Sequence, residues 1–212
     1  MLIKEAKDIA GSLGKPSKMP GTSYGISAHA CITGAKLAQI KGSTCEGCYA
    51  LKGNYQYQSV AAAHAKRLAG IMDPRWVAAM VRMLQNKHKS GKLPPYHRWH
   101  DSGDIQSKEH LARICQIAAA TPELMHWLPT REIKILADYV GGGGVVPDNL
   151  TIRVSATMVD GNATRTWPTT SGVHHNEAPK GEVCPAPTQG NACGACRKCW
   201  DKSVPHVTYH KH

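Results

Sequence analysis

Phenylalanine is absent from the 212 residues. The large aromatic bulk of any core therefore has to come from elsewhere, and Trp76, Trp99, Trp127, Trp167 and Trp200 fall within or beside apolar stretches. These read as core or pocket wall, with stacking on nucleobases as the alternative. No apolar run approaches the length that crosses a bilayer, which argues against a membrane partner. The opening MLIKEAKDIAGSLGK is too charged for a secretory leader, so the expected setting is a reducing cytoplasm. Acidic residues are also scarce: 15 Asp and Glu face 26 Lys and Arg, a formal charge of +11. That balance disfavours basic partners and suits nucleic acid, nucleotides or acidic peptides. The basic residues are scattered, so charge alone marks no binding face.

Cysteine, by contrast, is plentiful, with eight residues. Four fall in CPAPTQGNACGACRKC, where Cys193, Cys196 and Cys199 repeat a CxxC step and eight residues separate Cys184 from Cys193. Thiolates three positions apart, with a glycine in the turn, can point at one centre. The shared CxxCxxC run matches ligation of a [4Fe-4S] cluster better than the two separated pairs usual for structural zinc. Zinc is the alternative, and a disulfide framework fits the expected compartment least well.

A second set comprises Cys31 and, after thirteen intervening residues, Cys45 and Cys48 as a CxxC. Three thiols make an incomplete shell. Either Cys31 is a small buried apolar residue beside a redox pair or half a zinc site, or the trio holds a cluster with one iron open to a ligand. The lone Cys115 lies on an apolar helical stripe and reads as core.

One substantial core is expected from this length. Residues 1–23 read as an irregular arm, and 24–212 as a single α/β domain that includes the cysteine-rich segment 184–199. Helical spacing follows Tyr55, with Ser59 to Gly70 alanine-rich. A second helix has Asp73 and Pro74 as its expected start and Gly91 as its stop. After Pro94 and Pro95, strand and helix alternate: strands near 96–100, 125–128 and 150–155, a helix capped by Ser107, and another ended by the glycines from Gly141. That order predicts a parallel sheet with right-handed crossovers, barrel-like in part, whose functional rim lies beyond the strand C-termini. HDSGD, carrying Asp101, Ser102, Gly103 and Asp104, emerges there, as does Arg131, which reads either as a surface ion pair with Glu132 or, from its place at a strand end, as a binding residue. Regular pattern fades beyond residue 156, His174 and His175 look exposed, and VPHVTYHKH could add a terminal strand with His206, His210 and His212 facing solvent.

The succession CITGAK, CEGCYALKGNY, RWHDSGDI, WLPTRE, IRVSATMVDG and CPAPTQGNACGACRKCW resembles the bacteriophage gene product 88 family, from about residue 24 onward. More remotely, a cysteine trio ahead of βα units is similar to the radical S-adenosylmethionine (SAM) enzymes, with their partial TIM-type barrel. That likeness implies a [4Fe-4S] cluster on Cys31, Cys45 and Cys48, and SAM held by Asp101 to Asp104 and Arg131. The cysteines Cys184, Cys193, Cys196 and Cys199 would then hold an auxiliary centre. Those enzymes space their trio as CxxxCxxC, unlike this chain. The competing function is a non-catalytic module in which metal, iron-sulfur or zinc, only stabilises a basic surface for nucleic acid or a host protein.

Overall fold

Strand and helix alternate along most of the computed structural model, which describes residues 1–211; His212 lies outside the described residues. The strands are β1 (Thr22–Tyr24), β2 (Tyr96–Trp99), β3 (Met125–Thr130), β4 (Leu150–Ser155), β5 (Thr170–His174), β6 (Glu182–Val183) and β7 (His206–His210). They form one seven-stranded sheet in the order β1-β2-β3-β4-β5-β7-β6, and every pairing is parallel. The helices are α1 (Ile3–Ala10), α2 (Thr33–Leu37), α3 (Gln58–Gly70), α4 (Trp76–His88), α5 (Lys108–Ala119) and α6 (Ile133–Gly141).

From β1 to β5 the strand order never reverses, so right-handed crossovers carry the helices to the same face of the sheet. α1, α4, α5 and α6 contact one another in that succession. Side chains of a strand alternate between faces. Tyr24, Trp99, Leu128, Leu150, Ile152 and Val154 accordingly join the helices in the larger apolar cluster. The opposite face receives Trp127, Tyr96 and Met125, which pack with Cys199, Trp200, Val207 and Tyr209 from the end of the chain. The C-terminal cysteine segment thus covers the face that the helices leave free.

Tryptophan supplies the bulk that phenylalanine would. Trp76, Trp99 and Trp200 are fully buried and Trp127 nearly so, while Trp167 packs at the edge of the larger cluster. Tyr24 sits between Trp76 and Trp99, edge-on to both, donates its hydroxyl to the Ala10 carbonyl at 2.7 Å and accepts from Trp76 Nε1 at 3.1 Å.

The strands and helices expected between residues 58 and 155 are present, with two shifts. α4 starts at Trp76, because the Asp73 side chain accepts from the Arg75 amide and so caps a turn ahead of the helix. β3 continues through Pro129 to Thr130. Its pairing with β2 stops at Trp127, so the missing N–H of Pro129 forfeits no bond on that side. The expected irregular arm is a larger departure: Ala6, Ile9 and Ala10 of α1 are buried in the core, and β1 forms one edge of the sheet. Gly70 lets the two helices meet, since a Cβ there would stand 2.4 Å from the Ile9 carbonyl oxygen. Beyond residue 156, β5 and the two-residue β6 extend the sheet, and the predicted terminal strand is β7. Among the described residues no helix is long and apolar enough to cross a membrane.

Candidate metal centres at the sheet rim and on its open face

The segment from Ser27 to Tyr57 leaves β1 and crosses the C-terminal ends of the next three strands, where it and the adjoining Ile26 are tied down at each. Ile26 N–H donates to the Ser102 carbonyl, and Tyr49 donates its hydroxyl to the Asp101 carbonyl at 2.6 Å, both just beyond β2. Glu132, beyond β3, accepts from the Thr33 amide and the Thr33 hydroxyl, each at 2.7 Å, at the start of α2. Thr44 N–H donates to the Thr157 carbonyl, and its hydroxyl to that of Ala156, beyond β4. Ligands gather at such a rim in parallel α/β sheets because the loops there are free of the ladder.

This path brings Cys31, Cys45 and Cys48 together. A Cβ built on Gly34 would lie 3.5 Å from Cys31 Sγ and 3.6 Å from Cys45 Sγ, so both sulfurs lie close against the glycine. Cys45 and Cys48 flank a turn closed by a 3.1 Å bond from the Cys48 amide to the Cys45 carbonyl, with Gly47 at φ +64°. Burial pushes the Cys31 thiol up to about 12, helped by the negative charges of Asp104, Cys45 and Cys48, while Arg131 opposes it. Cys45 shifts upward for the same leading reason. Arg131 stands within the field of both thiols and donates Nε to Thr44 Oγ1 at 3.1 Å.

The HDSGD side chains divide into two sorts. Asp104 is buried, and its oxygens are taken by the Thr130 hydroxyl at 2.6 Å and the Arg131 and Ile105 amides at 2.8 Å each. Burial holds its pKa up at about 6 against those hydrogen bonds. Ser102 donates to the Ile26 carbonyl at 2.7 Å, and Gly103, at φ +75°, lies against Ile26. These three hold the rim together. Asp101 differs: one oxygen accepts from Ser23 at 2.9 Å and the other is buried without a partner. The preceding residue, His100, has a φ of +52° and two unpartnered ring nitrogens. Glu132 is no surface partner of Arg131, being 4% exposed and committed to Thr33.

The second cysteine set lies on the open face. Cys193 and Cys196 flank a turn closed at 2.9 Å, with Gly194 at φ +51°. The Cys193 amide donates to the Lys18 carbonyl and the Cys184 amide to that of Thr208. Cys199 Sγ lies 3.2 Å from the Tyr209 hydroxyl. Mutual charge effects tie Cys193 to Cys184 and Cys196, and Cys199 to Cys184. Burial raises Cys199 to about 11. All eight cysteines are free thiols, and Cys115 is core, 3% exposed. Among the described residues no three His, Cys, Asp or Glu side chains are arranged to hold a single metal ion. A zinc tetrahedron would need sulfurs about 3.8 Å apart, from metal–sulfur bonds of about 2.3 Å.

Sequence reasoning missed Glu132 as a clamp, and Arg98 and Arg153 as neighbours of the second set. An arginine in the middle of the apolar run LTIRVSA was the available signal for Arg153. His174 and His210, register partners on β5 and β7, bring their rings to 5.1 Å, and His174 is only partly exposed.

The model of one family, described as gene product 88, matches residues 2–202. No curated protein and no solved structure matches the chain. The match starts within the N-terminal lead-in and runs past Cys199, so helix α1, the rim and both cysteine sets lie inside it. With nearly the whole chain matched, this protein belongs to the bacteriophage gene product 88 family.

Proposed function

We propose that this protein is an iron-sulfur protein whose rim trio, Cys31, Cys45 and Cys48, carries a [4Fe-4S] cluster with one iron open to a small ligand, as in radical SAM chemistry. Cys184, Cys193, Cys196 and Cys199 hold the second centre. The observation that carries the reading is the approach of Cys31 and Cys45 to the same point beside Gly34, with the Arg131 charge near them at the C-terminal rim. Three thiolates and a cluster core are anionic, and a cation at that place stabilises them. The unreversed strand order supports a partial-barrel arrangement, in which the rim is the mouth.

The cluster would supply low-potential electrons; the chain's own residues bind and orient. Asp101 has an acceptor oxygen without a partner, suited to an ammonium or ribose hydroxyl, and the remaining Arg131 donors suit a carboxylate or phosphate. Asp104, Ser102 and Gly103 act behind them by fixing the strand ends.

The test is anaerobic preparation with iron and sulfide analysis, then EPR of the reduced protein with and without SAM. A cluster signal that changes on adding SAM, and is lost in Cys45→Ser, is expected. Zinc in place of iron and sulfide would move the protein to the structural-metal class. A cluster indifferent to SAM, with no heat of binding, would remove the radical reading.

A further inference from the structure

Arg153, on β4, is 0% exposed. All five of its N–H bonds end on backbone carbonyls: Nε on Cys199 at 3.1 Å, Nη1 on Thr170 at 3.3 Å and Val204 at 2.9 Å, Nη2 on Lys198 and Asp201 at 2.7 Å each. None of these acceptors is charged, and among the described residues Arg153 forms no ion pair. Besides the Tyr209 and Cys199 side chains, Asp201 is the one carboxylate whose field reaches it, but Asp201 is exposed and its Oδ1 accepts from Ser203 N and Oγ. Burying a cation without an anion is unfavourable even after relaxation, and carbonyl dipoles offset only part of that cost.

A second arginine lies on the same face. Arg98 spreads over the Trp127 ring at 4.6 Å, its Nη1 is 3.2 Å from Met19 Sδ, and its Nε is buried without a partner. It too lacks an ion pair among the described residues. The charges of both arginines act on the Cys199 thiol, and that of Arg98 on Cys193 as well.

We infer that Arg153 and Arg98 are the counter-ions of a doubly negative four-thiolate centre on Cys184, Cys193, Cys196 and Cys199. The inference rests on metal being held there, but holds for either kind of metal. Four thiolates around a divalent ion, or around an oxidised cubane core of charge two plus, leave two negative charges, which two guanidiniums balance. As the metal–sulfur bonds form, each thiol releases its proton to water. Arg153 also pins the carbonyls of Lys198 and Cys199, so it positions the last ligand while compensating it. Both arginines are positioning residues that act through the sulfurs.

The experiment loads the metal-free full-length chain with cobalt(II), with affinity read by chelator competition and the site by its thiolate-to-cobalt absorption. Arg153→Met and Arg98→Met are each expected to weaken cobalt binding about tenfold or more, the loss typical of an outer-shell partner. Arg153→Lys, which keeps the charge, should recover most of the affinity, a rescue that a purely packing role would not give. Arg98 makes few bonds to the protein, so Arg98→Met carries the test if Arg153→Met fails to fold. Wild-type affinity in folded Arg98→Met and Arg153→Met overturns the inference. Unchanged absorption in Cys196→Ser would instead overturn the metal reading of this segment.

Discussion

Gly34 shows how much one absent side chain can decide. It lies within α2, where alanine would ordinarily favour the helix by up to about 1 kcal/mol. The added Cβ, however, would stand 3.1 Å from Cys31 Cβ and against two sulfurs. Gly34→Ala should therefore leave the melting temperature of the metal-free protein unchanged or slightly higher, yet lower the iron bound at the rim and spare the second centre. Iron-to-protein ratio, set beside a thermal melt, checks it; full iron at the rim in Gly34→Ala would mean that the space between the sulfurs is not the cluster's. The sequence shows this glycine only as part of CITGAK. Cysteine spacing was legible because CxxC turns are local, whereas the meeting of Cys31 with Cys45 depends on a path across four strand ends, which no local pattern encodes.

Among the elements, α2 is the one that cannot stand alone. Five residues are far below the length at which a helix is stable in isolation, so its order must come from tertiary bonds. Glu132 provides two of them at its N-terminal turn, where negative charge is also favoured. Glu132→Ala is expected to cost about 2–3 kcal/mol, the range for hydrogen bonds to a charged group. The loss should be local: amides from Ser27 to Leu51 would exchange faster, while those of β3 and β4 keep their protection. Uniform loss of protection would show that Glu132 supports the sheet instead. The elements that sequence periodicity predicted are those whose apolar face is decided over several turns, such as α5, with Leu111, Ile114, Cys115 and Ala118 inward. Those it missed are short or polar. β1 has three residues and β6 two, and the five of β5, TSGVH, lack an apolar alternation. α1 was obscured by its lysines, although a buried Ala6-Ile9-Ala10 stripe is present.

For the whole molecule, an aromatic core without phenylalanine relies partly on histidine, and that makes the fold sensitive to acid. His97, His100, His110 and His126 are buried, at most 3% exposed. They fill the layer beneath Trp76 and Trp99, with His97 edge-on to Trp99 at 4.6 Å and His110 edge-on to Trp76 at 5.5 Å. The polar groups that meet them are neutral: Thr22 bonds His97 at 2.8 Å, Thr121 and Trp99 Nε1 bond His126 at 2.9 and 3.2 Å, the Gln106 backbone amide donates to His110 at 3.2 Å, and both His100 nitrogens have no partner. Burial therefore lowers all four, His100 to about 4 and His126 to about 3. His64 and His88 shift the same way, again mainly through burial. Such rings stay neutral in the fold while the unfolded chain takes up protons below its ordinary pKa of 6.5, so stability is full above that pH and falls as pH drops toward the folded values. At pH 5.5 His100 and His126, with folded values of about 4 and about 3, each forfeit roughly 1 kcal/mol, and His97 and His110 lose stability in the same direction. Asp104 acts in the opposite sense, because its raised pKa of about 6 lets the fold bind that proton before the unfolded chain does. One carboxyl cannot offset four histidines. Metal-free protein, freed of the separate acid lability of thiolate–metal bonds, should then unfold cooperatively with a midpoint near about pH 5. Circular dichroism across an acid titration gives the midpoint, and its steepness gives the net proton uptake. A chain still folded at pH 4 would mean that these rings are not held neutral.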